Sequence, residues 1–503
     1  MSTSKTTTET RGEPGAAFRN SGSLFIDGRP VAGEGDVLKI INPATEEQIA
    51  QIHGASGEQV DQAVAAARRA FDHGPWQWCA PDERASAINR LAERVEAHRD
   101  ELIAAIVDEV GSPVTLARGL QVDTVPLHLR EFSALAANPL EEDLGLDAGP
   151  PASRSIVGYR PAGVVAAISA YNYPLLLAMV KVGAALAAGC TVVLLVPDRS
   201  VVTGLMIGEL VREANLPDGV VNVIAGGADI GVRLTSRGDV DRVSFTGSLA
   251  VGSAVMKQAS TFVTNVVMEL GGKSANIIMP GMTLDERTVK PMHLRYLRNA
   301  GQGCASPTRF LVPESDYDRF LDVSRAVYET IGVGDPWNEE TVVGPVISQR
   351  HRAVVEGFVD RAVRSGATIV AGGGRADLPR GWYVNPTLIG NVDRDAEIVQ
   401  EEIFGPVAVV LPYRDISEAI DIANDTKYGL AAHVQAADVD DAVAIAPRLR
   451  AGSVYINGGG ALRANAPFGG FKASGLGREW GSHGVREYLE AQHIQWVVRT
   501  PDA

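Results

Sequence analysis

The run GVVAAISAYNYPLLLAMVKVGAALAAGCTVVLLVPD, residues 163–198, contains a pattern that indicates the fold class. Short continuous apolar runs at 163–169 and 191–196 predict buried strands, and the apolar segment at 175–188 between them predicts a helix. A strand, a helix and a second strand in this order are typical of a parallel sheet that helices cover on both faces. The segment therefore predicts an α/β protein.

The same alternation continues toward the C-terminus in two blocks. The first block adds strands at 220–224, 242–245 and 265–268 and helices near 201–214, 229–235 and 250–259. The second has strands at 310–312, 368–371, 406–410, 430–435 and 453–457, with helices near 316–331, 349–365, 417–424 and 439–449. Helical periodicity also marks 56–71 and 81–110, and a last strand is predicted at 494–498. The pattern predicts two α/β domains.

The bulk composition sets limits on size, partners and compartment. At 503 residues, 45% hydrophobic and 21% charged, the chain is expected to form two or three soluble domains. Its net charge of −15 argues against nucleic acid or an anionic membrane as a partner. Three cysteines without metal-type spacing and the absence of an apolar signal segment predict a cytoplasmic protein without disulfides or a metal site. Residues 1–20 are predicted to form a flexible tail.

Polar residues follow several predicted strands, at the edge where open parallel sheets bind their ligands. Asn172 is an amide donor in the first such loop, and Glu269 is a carboxylate beside the glycines of a later one. Between them, Gly247 and Ser248 follow a strand and precede a helix that contains Gly252. A helix start of this kind suits a phosphate, since free amides and the positive end of the helix dipole point at it.

Cys304 is the candidate nucleophile. Unlike Cys79 and Cys190, it lies among small and turn-forming residues, in the run NAGQGCASPTR at 299–309, where a substrate can approach the sulfur. A thiol attacks as its thiolate, which requires partial exposure and a favourable local charge. The alternative is an inert buried cysteine, because free cysteine is among the most buried residue types.

Six motifs occur in a fixed order along the chain. They are YNYP at 171–174, FTGS at 245–248 with the later Gly252, ELGG at 269–272, GQGC at 301–304, EEIFGP at 401–406 and PFGGFKASGLGRE at 467–479. From about Leu24 to Val498 the sequence resembles the aldehyde dehydrogenase superfamily. The resemblance implies two doubly wound parallel α/β domains plus a β oligomerisation arm. It places the dinucleotide-binding domain at 21–133 and 154–268, the catalytic domain at 269–457, and the arm at 134–153 and 479–503.

The resemblance also implies a mechanism. Cys304 would attack the aldehyde carbonyl, and the Asn172 amide with the Cys304 backbone N–H would hold the oxyanion of the thiohemiacetal. Glu269 would activate the water that hydrolyses the resulting thioester to a carboxylic acid. The implied cofactor is NAD, with NADP as the alternative, and the implied assembly is a homodimer or homotetramer. The cofactor-binding residues implied by matching positions are Gly247, Ser248, Gly252, Leu270, Glu402 and Phe404.

One departure from the family pattern affects the cofactor. After the strand at 191–196 most relatives carry a lysine that bonds the adenosine ribose, and Leu195 is its counterpart here. Asp198 follows where an acidic residue often favours NAD, because it accepts hydrogen bonds from ribose hydroxyls and repels a 2′-phosphate. Loss of a charged hydrogen bond costs about 1.5–3 kcal/mol, or roughly ten- to a hundredfold in affinity. The sequence therefore predicts a preference for NAD with weakened binding.

Three alternatives compete with a hydrolytic aldehyde dehydrogenase. Coenzyme A-acylating relatives tend to lack the general-base glutamate, so Glu269 favours hydrolysis. A catalytically silent relative would have no use for the catalytic residues and Glu402 together, and an esterase would leave Glu402 and Phe404 unexplained. The sequence does not name the aldehyde. The residues proposed to line an apolar substrate tunnel are Tyr171, Leu175, Met179, Gly303 and Ala305.

Overall fold

The computed structural model describes residues 22–498, so the tail predicted at 1–20 lies outside the described residues. The strands of the described part are β1 Leu24–Ile26, β2 Arg29–Val31, β3 Val37–Ile41, β4 Gln48–His53, β5 Glu141–Asp147, β6 Ser153–Pro161, β7 Val164–Ile168, β8 Thr191–Pro197, β9 Val221–Gly226, β10 Arg242–Thr246, β11 Asn265–Glu269, β12 Ala275–Ile278, β13 Arg309–Pro313, β14 Thr368–Ala371, β15 Thr387–Gly390, β16 Val407–Tyr413, β17 Ala431–Gln435, β18 Ser453–Ile456, β19 Gly475–Leu476 and β20 Leu489–Val497. Its α-helices are α1 Gly57–His73, α2 Pro81–Ala97, α3 Arg99–Val110, α4 Val114–Leu116, α5 Val125–Ala137, α6 Pro174–Ala188, α7 Val201–Glu213, α8 Ala228–Thr235, α9 Leu249–Ser260, α10 Glu286–Leu297, α11 Tyr317–Glu329, α12 Gln349–Arg364, α13 Glu397–Gln400, α14 Ile416–Asn424, α15 Val439–Ile445 and α16 Gly481–Arg486.

The first sheet has its strands in the order β19-β11-β10-β7-β8-β9-β1-β2. The central strands from β11 to β9 are parallel, and β19, β1 and β2 are antiparallel at the edges. From β7 the chain moves to β8 and β9 on one side and then returns to β10 on the other side. Ligands of open α/β sheets bind at such a reversal, beyond the carboxyl ends of the strands.

Helix α6 shows how the local sequence fixes the first strand-helix-strand unit. Pro174 occupies the first turn, where its missing N–H costs no hydrogen bond, and Gly189 ends the helix with a φ of 91°, which glycine adopts without strain. All of α6 is buried, and its composition is apolar on every side except at Lys181. A helix that is apolar all round belongs in a core, so the single lysine requires a buried partner.

The second sheet has the order β14-β15-β16-β13-β12-β17-β18, and only β14 is antiparallel to its neighbour. Each of the two sheets has its own apolar core. The chain crosses from one sheet to the other through residues 270–274, between β11 and β12. The carboxyl end of β11 therefore lies at the boundary between the two domains.

A third, antiparallel sheet has the order β20-β6-β5. Because β6 spans Ser153–Pro161, this sheet extends past residue 153 into a range that the sequence assigned to the first domain. The range 134–153 also begins inside the last turn of α5, and α16 packs mainly against α5 and α6.

The α/β class with parallel sheets in two domains is confirmed, and most predicted strands lie within two residues of their observed bounds. The exceptions are β16, which ends three residues later than predicted, and β20, which begins five residues earlier. The helical run predicted at 81–110 was wrong in one respect: it is two helices, α2 and α3, that break at His98. The His98 ring contacts the carboxylates of Glu101 and Glu213 at 3.1 and 2.9 Å. Strand β12 and helix α10 were not predicted. Within residues 22–498 no helix is both long and apolar enough to cross a lipid bilayer.

Candidate active site

A strained turn delivers Cys304 to the domain boundary. Helix α10 ends at Leu297, and Asn299 and Ala300 then adopt left-handed φ values of 51° and 54°. Non-glycine residues rarely adopt this conformation without support from their surroundings. The support includes the Asn299 side chain, whose Nδ2 donates to the Asn172 backbone oxygen at 2.8 Å. At Gly301, a Cβ would lie 2.0 Å from the Gly405 carbonyl oxygen, so only glycine fits there.

Gln302 joins this turn to the loop after β7. Its Nε2 donates to the Asn299 carbonyl at 3.0 Å, and its Oε1 accepts from the Ile347 amide at 3.0 Å and from the Tyr171 hydroxyl at 3.3 Å. Its backbone oxygen accepts from Asn172 Nδ2 at 2.9 Å. A fully bonded, buried glutamine of this kind fixes the relative position of the thiol loop and the Asn172 loop.

Two donors are placed to stabilise negative charge beside the thiol. Asn172 is 3% exposed and uses one N–H of its amide on Gln302, which leaves the second N–H for another acceptor. The Cys304 backbone N–H donates to no backbone carbonyl among residues 22–498. These are the two groups that the sequence proposed as oxyanion donors.

The surroundings of Cys304 favour the neutral thiol over the thiolate. The residue keeps partial exposure to solvent, whereas burial of the sulfur and the nearby carboxylates of Glu269 and Glu402 raise the pKa of the thiol above its ordinary value. The backbone amides of Ala305 and Cys304 oppose this shift. A carboxylate within electrostatic range can take the proton when the thiol attacks, so the arrangement suits base-assisted nucleophilic attack.

Glu269 ends β11 and is 2% exposed, and neither of its carboxylate oxygens has a hydrogen-bond partner within the described chain. The backbone of Gly469 passes so close that a Cβ there would lie 2.8 Å from Glu269 Oε1. Burial, followed by the charge of Glu479, raises the pKa of Glu269 well above its ordinary value. Buried polar atoms are nearly always paired, so this unpaired carboxylate indicates a functional group.

A buried polar chain leads away from Glu269. Lys181 is wholly buried and contacts Glu479 Oε1, and its Nζ also donates to Ser244 Oγ at 3.1 Å. The Tyr488 hydroxyl donates to the same Ser244 Oγ at 3.0 Å. Lys181 and Arg478 lower the pKa of Glu269, whereas Glu479 raises it. The ion pair thus supplies opposing charges that tune one carboxylate.

The turn Gly271-Gly272 lies between the thiol loop and Glu402. The Gly272 amide donates to Glu402 Oε1 at 3.0 Å, and a Cβ at Gly271 would lie 2.1 Å from Glu402 Oε2. At Gly272 a Cβ would meet the Cys304 carbonyl oxygen at 2.3 Å. Any side chain in this turn would therefore separate Glu402 from Cys304. Burial raises the pKa of Glu402 to about 7.

The start of α9 forms the phosphate-type end of the cleft. Ser248 caps the helix by accepting from the Val251 amide at 3.4 Å, and Thr246 Oγ1 is buried without a partner in the described part. A Cβ at Gly247 would lie 2.4 Å from the Phe245 ring, and one at Gly252 would lie 2.5 Å from Leu270 Cδ2. These glycines let β10, α9 and the residue after β11 pack closely at a helix N-terminus that suits an anion.

Phe404 lies on the wall of the cleft opposite the start of α9, and its backbone has a left-handed φ of 57°. Its ring meets the edge of Tyr171 at a centroid distance of 6.1 Å, and its backbone oxygen accepts from His351 Nε2 at 2.7 Å. An aromatic ring held in this way offers a flat surface to a planar ligand. Beyond Tyr171, Asp198 is exposed just after β8, and Leu195 is 3% exposed within that strand.

The structure brings the Cys304 loop together with Asn172, Glu269 and Glu402, and it packs Gly252 against Leu270. It also adds residues that the sequence did not single out. Tyr173, rather than Tyr171, lies beside Gly303, because a Cβ at Gly303 would be 3.6 Å from the Tyr173 hydroxyl. Leu175 and Met179 are buried in the first core. The added residues are Gln302, Lys181, Glu479 and His351. Lys181 could have been found as the one charge in an apolar helix, and Gln302 and Glu479 belong to recognised motifs.

A thiol, an amide and an unpaired carboxylate between a dinucleotide-type sheet and a second α/β domain define a class of oxidoreductases, those that oxidise a carbonyl carbon through a cysteine adduct. The chain belongs to the aldehyde dehydrogenase family, whose model matches residues 31–494. It is therefore an oxidoreductase that converts an aldehyde to a carboxylic acid.

Curated relatives and solved structures agree with this assignment. The chain is 37% identical to geranial dehydrogenase of Castellaniella defragrans, covering 94% of this chain and 98% of that protein. It is 39% identical to a 3-succinoylsemialdehyde-pyridine dehydrogenase of a Pseudomonas species, covering 95% of this chain and 99% of that protein. An aldehyde dehydrogenase C variant of Pseudomonas syringae, solved with NAD+ and octanal, is similar with a TM-score of 0.90 and 38% identity over 95% of this chain and 97% of that one. The NAD+ complex of a Bacillus cereus aldehyde dehydrogenase is similar with a TM-score of 0.93 and 34% identity, over 98% of this chain and 99% of that one.

Proposed function

We propose that this protein oxidises an aldehyde with NAD+ and releases the free acid, with Cys304 as nucleophile, Asn172 as oxyanion donor and Glu269 as general base. The observation that carries the proposal is the Glu269 carboxylate, which is buried, unpaired and within electrostatic range of the Cys304 thiol. A structural carboxylate at this depth would be paired, whereas a general base must keep its lone pairs free for water.

In the acylation half, the Cys304 sulfur forms a bond to the carbonyl carbon while its proton passes to a base. The carbonyl oxygen becomes an oxyanion that accepts from the Cys304 amide and from the free N–H of Asn172. Donors preorganised for developing charge contribute about 3–4 kcal/mol each. The bound dinucleotide supplies a hydride acceptor. Loss of hydride from the tetrahedral carbon leaves a thioester on Cys304.

In the deacylation half, water attacks the thioester carbon and gives its proton to Glu269. Collapse of the second tetrahedral adduct breaks the C–S bond, so a carboxylic acid leaves and the sulfur takes the proton that Glu269 received from water. The raised pKa of Glu269 makes its carboxylate a stronger base than an exposed glutamate. Burial contributes most to the raised pKa of Glu269, the charge of Glu479 raises it further, and the charge of Lys181 lowers it.

We place the dinucleotide between the start of α9 and Phe404. The amides around Ser248 would hold the diphosphate, Glu402 the nicotinamide ribose, and Asp198 the adenosine ribose. Glu402 is bonded to the Gly272 amide, so binding requires its carboxylate to exchange this partner for ribose hydroxyls. Solved relatives bind NAD+, and Asp198 carries a negative charge that repels a 2′-phosphate, so we propose NAD as the preferred cofactor.

We also propose a homo-oligomer that works in the cytoplasm. The arm sheet exposes large apolar side chains on β5 and β20, namely Leu144 at 59%, Leu146 at 62% and Trp496 at 45%. Exposed apolar residues on a sheet with open edges favour association with a second copy. The three cysteines are all unpaired, which is typical of a reducing compartment.

The test is reduction of NAD or NADP, followed by absorbance, with aliphatic and aromatic aldehydes and with Cys304→Ala. We expect aldehyde-dependent reduction with NAD in the wild type and none in Cys304→Ala, while the variant still binds NADH. Activity in Cys304→Ala would overturn the proposed nucleophile. Reduction that requires coenzyme A and yields its thioester would overturn the hydrolytic step.

A further inference from the structure

We propose that Arg199 binds the diphosphate of the dinucleotide and supplies the positive charge that is missing at Leu195. The inference deepens the proposed function and rests on its cofactor cleft. It concerns a residue that directly follows Asp198 on the loop between β8 and α7.

The position of the Arg199 side chain is the first argument. Its guanidinium carbon lies 5.8 Å from the centroid of the Tyr171 ring, and the Tyr171 ring in turn meets Phe404 at 6.1 Å. Its backbone adjoins Asp198 at the adenosine-ribose end of the cleft. The side chain thus spans from the ribose end toward the nicotinamide wall, and the diphosphate is the part of a dinucleotide that connects these ends.

The second argument is that the Arg199 charge has no acidic partner. Arg199 is exposed, and across residues 22–498 it makes no ion pair and no hydrogen bond. Nearby arginines are paired, as Arg212 is with Glu209 on α7. Arginine presents a planar fork of donors that matches phosphate oxygens, so an unpaired guanidinium facing a nucleotide cleft suits an anionic ligand.

The third argument is that the charge acts across the cleft. Burial chiefly lowers the pKa of His351, and Arg199 lowers it further. Burial raises the pKa of Tyr171, and Arg199 opposes that shift. His351 lies on α12 of the second domain and donates to Phe404, so the Arg199 charge is directed into the space between the two domains.

A purely structural role is the competing explanation. In that case Arg199 would only stack on Tyr171 and hold the loop that carries Asn172. Loss of Arg199 would then lower thermal stability or catalysis, without a change in the salt dependence of cofactor binding.

The experiment measures NADH affinity by fluorescence, independently of turnover, in the full-length wild type and in Arg199→Gln, Arg199→Lys and Arg319→Gln. Arg319 is a matched control, since it is an exposed arginine on α11 with no ion pair within the described chain. We expect Arg199→Gln to weaken NADH about tenfold to a hundredfold, Arg199→Lys to recover most of this loss, and Arg319→Gln to have no effect. Raising the ionic strength should weaken binding more in the wild type than in Arg199→Gln.

NADPH measured in parallel separates the diphosphate from the 2′-phosphate. Equal losses for NADH and NADPH in Arg199→Gln support contact with the diphosphate, and a loss confined to NADPH overturns it. Unchanged NADH affinity and salt dependence in Arg199→Gln would overturn the inference while leaving the proposed function intact. A wild type that oxidises aldehydes without binding NADH would instead contradict the proposed cofactor.

Discussion

The two ends of the proposed cofactor cleft, one at Cys304 and the other at Asp198, differ in how deeply their functional groups are buried. At the thiol end, burial raises the pKa of both Cys304 and Glu269, and the Glu269 carboxylate is unpaired. At the proposed ribose end, Asp198 and Arg199 are exposed on a loop, and Leu195 is buried within β8.

This difference in burial indicates which positions of the enzyme can tolerate substitution. Charges in a buried, low-dielectric site interact strongly, so a change at the thiol end alters the chemistry itself. Exposed charges are screened by water and salt, so one cation on a loop can replace another with a modest change in affinity. Substitutions at the exposed loop are therefore expected to change cofactor affinity more than the chemistry at Cys304.

The largest effect on turnover is expected for a substitution of Glu269, at the thiol end of the cleft. We expect Glu269→Gln to slow turnover about a hundredfold to ten-thousandfold, because the thioester loses its general base. Rapid mixing with aldehyde and NAD should show one equivalent of NADH formed quickly, followed by a slow phase, with an acylated Cys304 visible by intact-protein mass spectrometry. Equal slowing of both phases would mean that Glu269 serves acylation rather than hydrolysis.

The oxyanion donor gives the next largest effect. Asn172→Ala should lower kcat about a hundredfold to a thousandfold, since one preorganised donor is lost. NADH affinity should stay unchanged, because Asn172 contacts Gln302 and the thiol loop. Thermal unfolding serves as the control, and a large fall in melting temperature with unchanged kcat would assign Asn172 a structural role only.

The pH dependence of deacylation tests whether Glu479 influences the pKa of Glu269. Glu479→Gln removes the largest charge that raises the pKa of Glu269, so that pKa should fall. A base acts in its deprotonated form, so the rising limb of the deacylation rate should move to lower pH. Breaking the buried pair with Lys181 should also cost about 3–5 kcal/mol of stability. An unchanged pH profile of the deacylation rate would mean that Glu479 does not influence the pKa of Glu269. Replacing both Lys181 and Glu479 with methionine should restore much of the stability.

The smallest effect is expected at Asp198. Asp198→Asn should reduce discrimination against NADPH about twofold to fivefold, because an exposed charge contributes about 0.2–1 kcal/mol. Relative affinities for NADH and NADPH, measured by fluorescence at two salt concentrations, would test this. A hundredfold change would show that the ribose end is as tightly coupled as the thiol end.

Much of the architecture was predictable from local pattern. Short apolar runs such as 191–196 can only be buried strands, and Pro174 and Gly189 delimit the helix between them. Motif order identified the family and predicted Cys304, Asn172 and Glu269 as the candidate catalytic residues. The break of 81–110 at His98 was not predictable, because the contact to Glu213 that accompanies it comes from a distant helix.

The sequence by itself determined the two α/β domains, the family and the catalytic residue types, because these depend on periodicity and on short motifs. Only the tertiary structure decided that the Glu269 carboxylate has no hydrogen-bond partner within residues 22–498, that Lys181 pairs with Glu479, and that Arg199 lies over the Tyr171 ring. The physical reason is that burial, pKa and pairing depend on which distant segments meet. Lys181 and Glu479 are 298 positions apart in the chain, and no local pattern records that distance.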